Sequence, residues 1–130
     1  MNKERIEKLR AIFENYPEIA LVYFFGSRAE DNAGPMSDYD FAIYLTTQDK
    51  IKAFSVKLAL MDKIGRLFKT DKVDVVILNL TDSPELKHNI ITQGRLIYEK
   101  EPYRMIVEPR ILNDYFDFRS LLLRYHLTKA

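Results

Sequence analysis

The stretch FFGSRAEDNAGPMSDYDFAIYL, residues 24–45, begins at the end of one apolar run and finishes inside another. The pair Gly26 and Ser27 follows the first run, and Asp38 and Asp40 open the second. Alternate residues of a strand point to the same face of its sheet, so the two aspartates should project together while Tyr39 turns the other way. Burying two like charges without a counter-charge would cost several kcal/mol. The stretch therefore predicts that a cation binds at the start of this strand.

Four short runs rich in β-branched and aromatic residues predict strands over residues 19–25, 40–45, 73–80 and 95–99. A short helix over the letters RAED and a loop at Asn32, Gly34 and Pro35 are expected to connect the first two strands. Helical patterns separate and flank the other strands. This order favours a small mixed sheet of about four strands with helices packed on it, in the α/β or α+β class. The chain of 130 residues suits a single domain, 1–130, with a helical tail from about residue 102.

The longest predicted helix runs from about Gln48 to Phe68 and is expected to begin at a cap formed by Thr46 or Thr47. Its inner face is predicted from apolar residues at helical spacing: Ile51, Phe54, Leu58, Met61, Ile64 and Leu67.

The other helices carry their own boundary signals. A helix capped by Thr81 or Ser83 should end near Gly94, and Pro109 is expected to kink or divide the C-terminal helix. That last helix holds more apolar residues, including Leu121 to Leu123, than one buried stripe requires. It is therefore a candidate surface for a partner protein or for a second copy of the chain.

Composition excludes several classes of function. The formal net charge of +1 gives no argument for nucleic-acid binding or for a membrane surface. The chain has no cysteine, which rules out disulfides and thiolate metal sites. No signal peptide opens the sequence, and no apolar run approaches the ~18 residues of a membrane helix. We expect a cytoplasmic protein that binds neither membrane nor nucleic acid directly.

A third carboxylate, Asp74, opens the otherwise apolar run DVVIL. If this strand lies beside the one that starts near Asp40, Asp74 faces the same cavity as Asp38 and Asp40. Three carboxylates can hold two Mg²⁺ ions roughly 3.5–4 Å apart, which clamp the attacking and leaving oxygens of a phosphoryl transfer. Asp74 could also take a proton from the acceptor. Asp38, Asp40 and Asp74 are therefore the candidate catalytic and metal-binding residues.

Gly26, Ser27 and Arg28 are the candidate nucleotide-binding residues. A glycine at a strand end lets the backbone approach a phosphate closely, and free N–H groups at a following helix start attract anions. Ser27 adds a hydroxyl donor and Arg28 adds a cation. The pattern differs from a Walker loop, which the chain does not contain.

Each of these features has a structural explanation when it is taken alone. A Gly-Ser pair after a strand is usually a turn, Asp-x-Asp is common in solvated loops, and Asp74 beside Lys72 fits an exposed strand start. His88 and His126 lack metal-ligand spacing and are expected to be surface or packing residues. The functional interpretation depends on the combination and order of the glycine, the serine and the three aspartates.

That combination resembles the signature of the polymerase-β-like nucleotidyltransferase superfamily, in which a Gly-Ser pair is followed after ten residues by Asp-x-Asp. SDYDFAIYL, VDVVILN and GRLIYE are similar to later segments of that superfamily. The small size is similar to that of the minimal nucleotidyltransferases, the MNT antitoxins of HEPN–MNT toxin–antitoxin pairs.

The resemblance implies a polymerase-β-like fold and a Mg²⁺-dependent transfer of AMP from ATP to a hydroxyl. It implies that Gly26 and Ser27 bind the triphosphate, that Asp38, Asp40 and Asp74 hold Mg²⁺, and that the acceptor is a tyrosine of a HEPN ribonuclease toxin, which AMPylation silences. One departure concerns the phosphate loop: many relatives carry a basic residue and a glycine where Glu30 and Asp31 stand here.

Two alternatives remain open at this stage. The chain could neutralise its partner by binding alone, with a nucleotide site that no longer works. It could also keep the chemistry and modify a small hydroxylated molecule such as an aminoglycoside, although the short chain leaves little room for a separate pocket.

Overall fold

The computed structural model describes residues 1–26 and 38–127. In chain order the elements are α1 (Lys3–Glu14), β1 (Ile19–Phe25), β2 (Tyr39–Leu45), α2 (Lys50–Phe68), β3 (Val73–Ile77), a 3₁₀ turn (Leu78–Leu80), α3 (Pro84–Gln93), β4 (Arg95–Glu99) and α4 (Tyr103–Arg124). The predicted RAED helix and the loop at 32–35 lie outside the described residues. None of the described helices is both long enough and apolar enough to span a membrane.

The strands form one mixed sheet in the order β3-β2-β1-β4. β1 pairs antiparallel with β2 and β4, whereas β2 pairs parallel with β3. This confirms the expected four-stranded mixed sheet with β4 at an edge. β1 is buried along almost its whole length because it lies inside the sheet and is covered on both faces.

Two hydrophobic layers cover the sheet. On one face Leu9 of α1 and Leu60 of α2 pack with Val22 and Phe41. On the other face Leu21, Tyr23 and Ala42 pack with α3 and α4. Because alternate strand residues point to opposite faces, Asp40 shares the α3 and α4 face with Ala42.

The predicted inner face of α2 is wrong for its first half. Ile51, Phe54 and Leu58 are 83%, 56% and 51% exposed, and the core stripe consists of Ala53, Val56, Leu60 and Ile64. Both stripes have helical spacing, so periodicity does not distinguish them. The smaller Ala53 and Val56 allow the helix to approach the sheet closely, which is how packing favours that stripe.

The predicted cap of α2 is also displaced. Asp49 is the N-cap, and its side chain accepts hydrogen bonds from the N–H groups of Ile51 and Lys52 at 3.0 and 3.4 Å. Thr47 instead accepts a hydrogen bond from the N–H of Asp49 through its hydroxyl at 3.1 Å. The helix therefore begins two residues later than expected.

The third strand is shorter than predicted because Asn79 ends it. Its Oδ1 accepts from the N–H of Leu45 at 3.0 Å, and its Nδ2 donates to the carbonyl of Thr47 at 2.9 Å. An amide side chain thus replaces backbone pairing at the end of β2, and the chain turns into the 3₁₀ segment.

The two C-terminal helices follow their boundary signals, with one exception. Ser83 caps α3, and Gly94 ends it. Pro109 lies inside the continuous helix α4 and does not divide it, while the expected kink at the proline stays a prediction. Val107 and Ile111 are buried on either side of the proline, and this packing holds the helix together where one backbone hydrogen bond is lost. The partner surface suggested for the end of α4 stays a prediction, although Phe116 there is exposed.

A hydrogen bond to Glu108 anchors α4 on β1, and its loss should be measurable. The Tyr23 hydroxyl donates to Glu108 Oε2 at 2.5 Å, and Arg104 Nε donates to the same carboxylate at 3.3 Å. Burial and the bond to Glu108 raise the pKa of Tyr23. We expect Glu108→Ala to lower the free energy of unfolding by about 1–3 kcal/mol, because a buried hydroxyl loses its acceptor. Urea denaturation measures this change. Glu108→Gln keeps an acceptor, and an equal loss in both variants would contradict the explanation.

Candidate active site

The candidate site lies at the edge of the sheet where β1 ends and β2 and β3 begin. Asp40 is the register partner of Asp74 in the parallel β2–β3 pair and of Phe25 in the antiparallel β1–β2 pair. Register partners on adjacent strands place their side chains on the same face. The strand order therefore brings Asp40 and Asp74 together. From the sequence alone, one has to assume that these two strands are neighbours.

Asp38 belongs to the same group of carboxylates. It lies just before β2, two residues from Asp40, and is exposed like Asp74, whereas Asp40 is half-buried. Burial raises the pKa of Asp40, and the charges of Asp74 and then Asp38 raise it further. Both neighbours are thus close enough for their charges to act on Asp40, and together with burial they disfavour its ionised form.

Gly26 contacts this acidic group directly. Its φ of +84° is a left-handed conformation, and a Cβ added there would lie 2.4 Å from Asp40 Oδ2. Only glycine satisfies both the backbone conformation and the close approach. The backbone at residue 26 therefore lies against the central carboxylate. Ser27 and Arg28, the other predicted nucleotide-binding residues, lie outside the described residues.

Neighbouring groups hold the strand starts in place. The N–H of Tyr39 donates to the carbonyl of Lys72 at 2.8 Å, and the N–H of Val75 donates to Asp74 Oδ1 at 3.0 Å. The Tyr39 ring turns to the opposite face, as the alternation predicts, and packs 4.6 Å from the Phe68 ring. The backbone that carries the acidic side chains is therefore held in place by hydrogen bonds.

The donor set fits a hard divalent cation. All three side chains offer carboxylate oxygens, which Mg²⁺ prefers, and a cation would offset the repulsion at Asp40. Within residues 1–26 and 38–127, no group of three or more acidic or histidine side chains is arranged so that it could hold a metal ion by itself. Mg²⁺ is commonly held by one or two carboxylates together with water and substrate phosphates, and the pair Asp40 and Asp74 offers that number of carboxylates.

Gly94 lies beside the site, but the sequence pattern predicted it only as the end of a helix. A Cβ at Gly94 would lie 2.4 Å from the Ile90 carbonyl and 3.3 Å from the Phe24 carbonyl and from Phe25 Cβ. This close approach seats the end of α3 on β1 next to Gly26. In the sequence, the glycine was the available signal of a special position. Its role in packing is visible only from the contact between α3 and β1.

The histidines are not part of the site. His88 stacks on the Tyr115 ring with centroids 3.7 Å apart and planes at 12°. This is a packing role, as expected, and His126 is exposed just beyond the end of α4.

Known proteins resemble this chain in sequence and in fold. The family described as polymerase beta, nucleotidyltransferase matches residues 7–103. The protein adenylyltransferase MntA of Aphanizomenon flos-aquae (strain 2012/KM1/D3) is 30% identical over 120 residues, which are 87% of this chain and 73% of that protein.

Solved structures extend the similarity of fold to nearly the whole chain. A crystal structure of a toxin–antitoxin with AMP-PNP superposes with a TM-score of 0.74 at 24% identity, covering 96% of this chain and 95% of the other. A structure of the tri-AMPylated Shewanella oneidensis HEPN toxin in complex with MNT antitoxin gives a TM-score of 0.64 at 23% identity, covering 94% and 90%. At these identities the superpositions establish the fold alone. Together with the family match and the relative in sequence, they show that the chain belongs to the polymerase-beta nucleotidyltransferase family, among the relatives of the protein adenylyltransferase MntA.

Proposed function

We propose that this chain is a Mg²⁺-dependent protein adenylyltransferase that transfers AMP from ATP to a tyrosine hydroxyl of a HEPN toxin and thereby acts as its antitoxin in the cytoplasm. The observation that carries the proposal is the pairing of Asp40 with Asp74 on adjacent strands, with Gly26 against Asp40. The acceptor class is supported by the relatives. MntA is a protein adenylyltransferase, and the Shewanella complex contains an AMPylated HEPN toxin beside its MNT antitoxin.

The nucleotide's phosphates would approach the chain at Gly26. This residue has no side chain and a left-handed φ; its Cβ direction is taken by Asp40, so a phosphate oxygen would approach the backbone from another side. Ser27 would add a hydroxyl donor and Arg28 a cation. The acidic group begins immediately beside Gly26, which would place the reacting phosphate next to the metal ligands.

Asp38, Asp40 and Asp74 would hold the metal. When bound, Mg²⁺ would neutralise phosphate charge and stabilise the attacking and leaving oxygens of the transfer. Asp40 lies between the other two positions and is the most buried of the three. It would therefore be the ligand most firmly fixed by the protein, while Asp38 and Asp74 remain exposed toward the substrates.

Asp74 would receive the acceptor's proton. In the transfer the hydroxyl oxygen bonds to the α-phosphorus, the bond to the bridging oxygen breaks, and pyrophosphate leaves with that electron pair. A carboxylate oxygen of Asp74 would take the hydroxyl proton. Its Oδ1 is held by the Val75 N–H at 3.0 Å, which orients the carboxylate and leaves Oδ2 for the proton or a metal ion. Because the Asp74 side chain is exposed, a hydroxyl on another protein would be able to reach it.

The test combines the chain with its cognate toxin, ATP and Mg²⁺ and follows the intact mass of the toxin. We expect one or more added AMP groups with the natural chain. With Asp74→Asn we expect a rate lower by about 10²–10⁴-fold, the usual contribution of a general base.

Other outcomes of this test identify the alternatives. An unmodified toxin that is still inhibited, also by the Asp38→Ala plus Asp40→Ala variant, would show that the antitoxin acts by binding alone. AMP transfer to an aminoglycoside and not to the toxin would place the acceptor among small molecules. Either result would overturn the proposed acceptor.

A further inference from the structure

Helix α2 carries a second apolar stripe, most of which the fold leaves exposed. Ile51, Phe54 and Leu58 are all more than half exposed, and half-buried Met61, which also packs against the core, continues their line. Their spacing of three, four and three residues places them along one side of the helix, in the a and d positions of a heptad. Large apolar side chains aligned in this way on a surface indicate an interaction site.

The exposed part of the stripe, Ile51, Phe54 and Leu58, faces away from α1 and from the sheet. At 100° per residue it lies on the opposite side of α2 from Lys52 and Lys63. Those lysines contact the turn between α1 and β1, since Lys52 Nζ lies 3.2 Å from Glu18 Oε1 and Lys63 Nζ lies 4.9 Å from the Tyr16 ring centroid. Neither α1 nor the sheet lies over the stripe, so a second molecule has access to it.

The charges beside the stripe favour one kind of occupant. Lys50 and Lys57 line one edge, and Ser55 and Asp62 line the other; Asp62 also forms an exposed ion pair with Arg66 of its own helix at 3.1 Å. If two copies of α2 pair in parallel, Lys57 of each copy faces Asp62 of the other, the usual g-to-e contact of paired helices. An antiparallel pair would instead set the two lysine edges against each other. The stripe is therefore self-complementary in the parallel arrangement.

We propose that α2 is the contact between two copies of this chain, paired as parallel helices about a two-fold axis with Ile51, Phe54, Leu58 and Met61 between them. This goes beyond the proposed function and does not depend on it. The four side chains span about 15 Å of helix, which buries less than the ~800 Å² per partner of a standard stable interface. The dimer should therefore be weak, with a Kd on the order of 10–100 μM.

The absence of cysteine in the natural chain makes a direct test available. Across a parallel two-fold pair each a or d residue meets its own copy, so Leu58→Cys and Phe54→Cys should each form a disulfide-linked dimer under mild oxidation. Glu7→Cys, on exposed α1, is the matched control and should stay monomeric. Antiparallel helices would link only when the Phe54→Cys and Leu58→Cys proteins are mixed, and that result would overturn the proposed arrangement.

Sedimentation equilibrium provides the second measurement. We expect the natural chain to dimerise reversibly, Phe54→Ser plus Leu58→Ser to be monomeric, and Asp62→Lys to raise the Kd about tenfold by setting like charges together. Adding Lys57→Asp to Asp62→Lys should restore the dimer. A natural chain that stays monomeric at about ten times the expected Kd would overturn the proposal, whether or not it AMPylates a toxin, and would leave a different protein as the occupant of the stripe.

Discussion

Replacing Asp40 with asparagine is expected to lower AMP transfer by about 10³-fold or more and, at the same time, to stabilise the metal-free protein. The loss follows from the position of Asp40 between Asp74 and Asp38, against Gly26. A metal ion contributes several kcal/mol to a transition state, and each 1.36 kcal/mol is a factor of ten in rate. A neutral amide is a poor ligand for Mg²⁺ at this central position, so most of that contribution should be lost.

The gain in stability has the same physical origin. Burial and two neighbouring carboxylates raise the pKa of Asp40, so the native state binds this proton more tightly than the unfolded chain does. The free energy of unfolding then decreases as the pH rises from the ordinary aspartate pKa through the raised pKa of the native state. Asparagine does not ionise, so the Asp40→Asn variant does not show this decrease. We expect Asp40→Asn to add about 0.5–2 kcal/mol near neutral pH, as substitutions that relieve functional strain commonly do.

Thermal unfolding in EDTA, with and without the substitution, measures this effect. The difference in Tm should be larger at about pH 7 than at about pH 3.5, where the aspartate is largely protonated in both states. Asp82→Asn, an exposed aspartate in the turn before α3, is the matched control and should change neither activity nor stability. A variant that is less stable than the natural chain, or that retains full activity, would show that Asp40 is not a strained metal ligand.

The second large effect is expected from Gly26→Ala. The new methyl group would lie 2.4 Å from Asp40 Oδ2, on a backbone with φ of +84°. Left-handed backbone at a non-glycine residue and overpacking each cost about 1–3 kcal/mol, so the free energy of unfolding should fall by about 2–6 kcal/mol. Displacing a reacting group by about 1 Å lowers rates by about 10²-fold. We therefore expect Gly26→Ala to lower both the free energy of unfolding and the rate of AMP transfer.

A double-mutant cycle separates the two causes. In an Asp40→Ala background the carboxylate is absent, so Gly26→Ala should cost only the backbone strain, about 1–3 kcal/mol. Urea denaturation of the four proteins gives the coupling between residues 26 and 40. If Gly26→Ala costs the same in both backgrounds, the contact with Asp40 does not explain why this position is a glycine.

The strands were the most predictable part of the fold. β1 and β4 have the bounds that their apolar runs predict, because a short β-branched run between turn residues has few alternatives. β3 ended early for a reason that no local pattern contains. The Asn79 amide bonds to Leu45 and Thr47, which are 34 and 32 residues away in the chain.

The sequence by itself determined which residues are chemically special: a glycine and a serine after one strand, and three aspartates at the starts of two others. These identities and spacings are local, and they are sufficient to indicate metal and phosphate chemistry and the family. Only the tertiary structure decided that β3 lies parallel to β2 with Asp74 opposite Asp40, and that α2 buries Ala53 and Val56 while exposing Ile51 and Phe54. The physical reason is that strand neighbours and buried helix faces are chosen by shape and packing between distant segments, and periodicity along one segment does not record that choice.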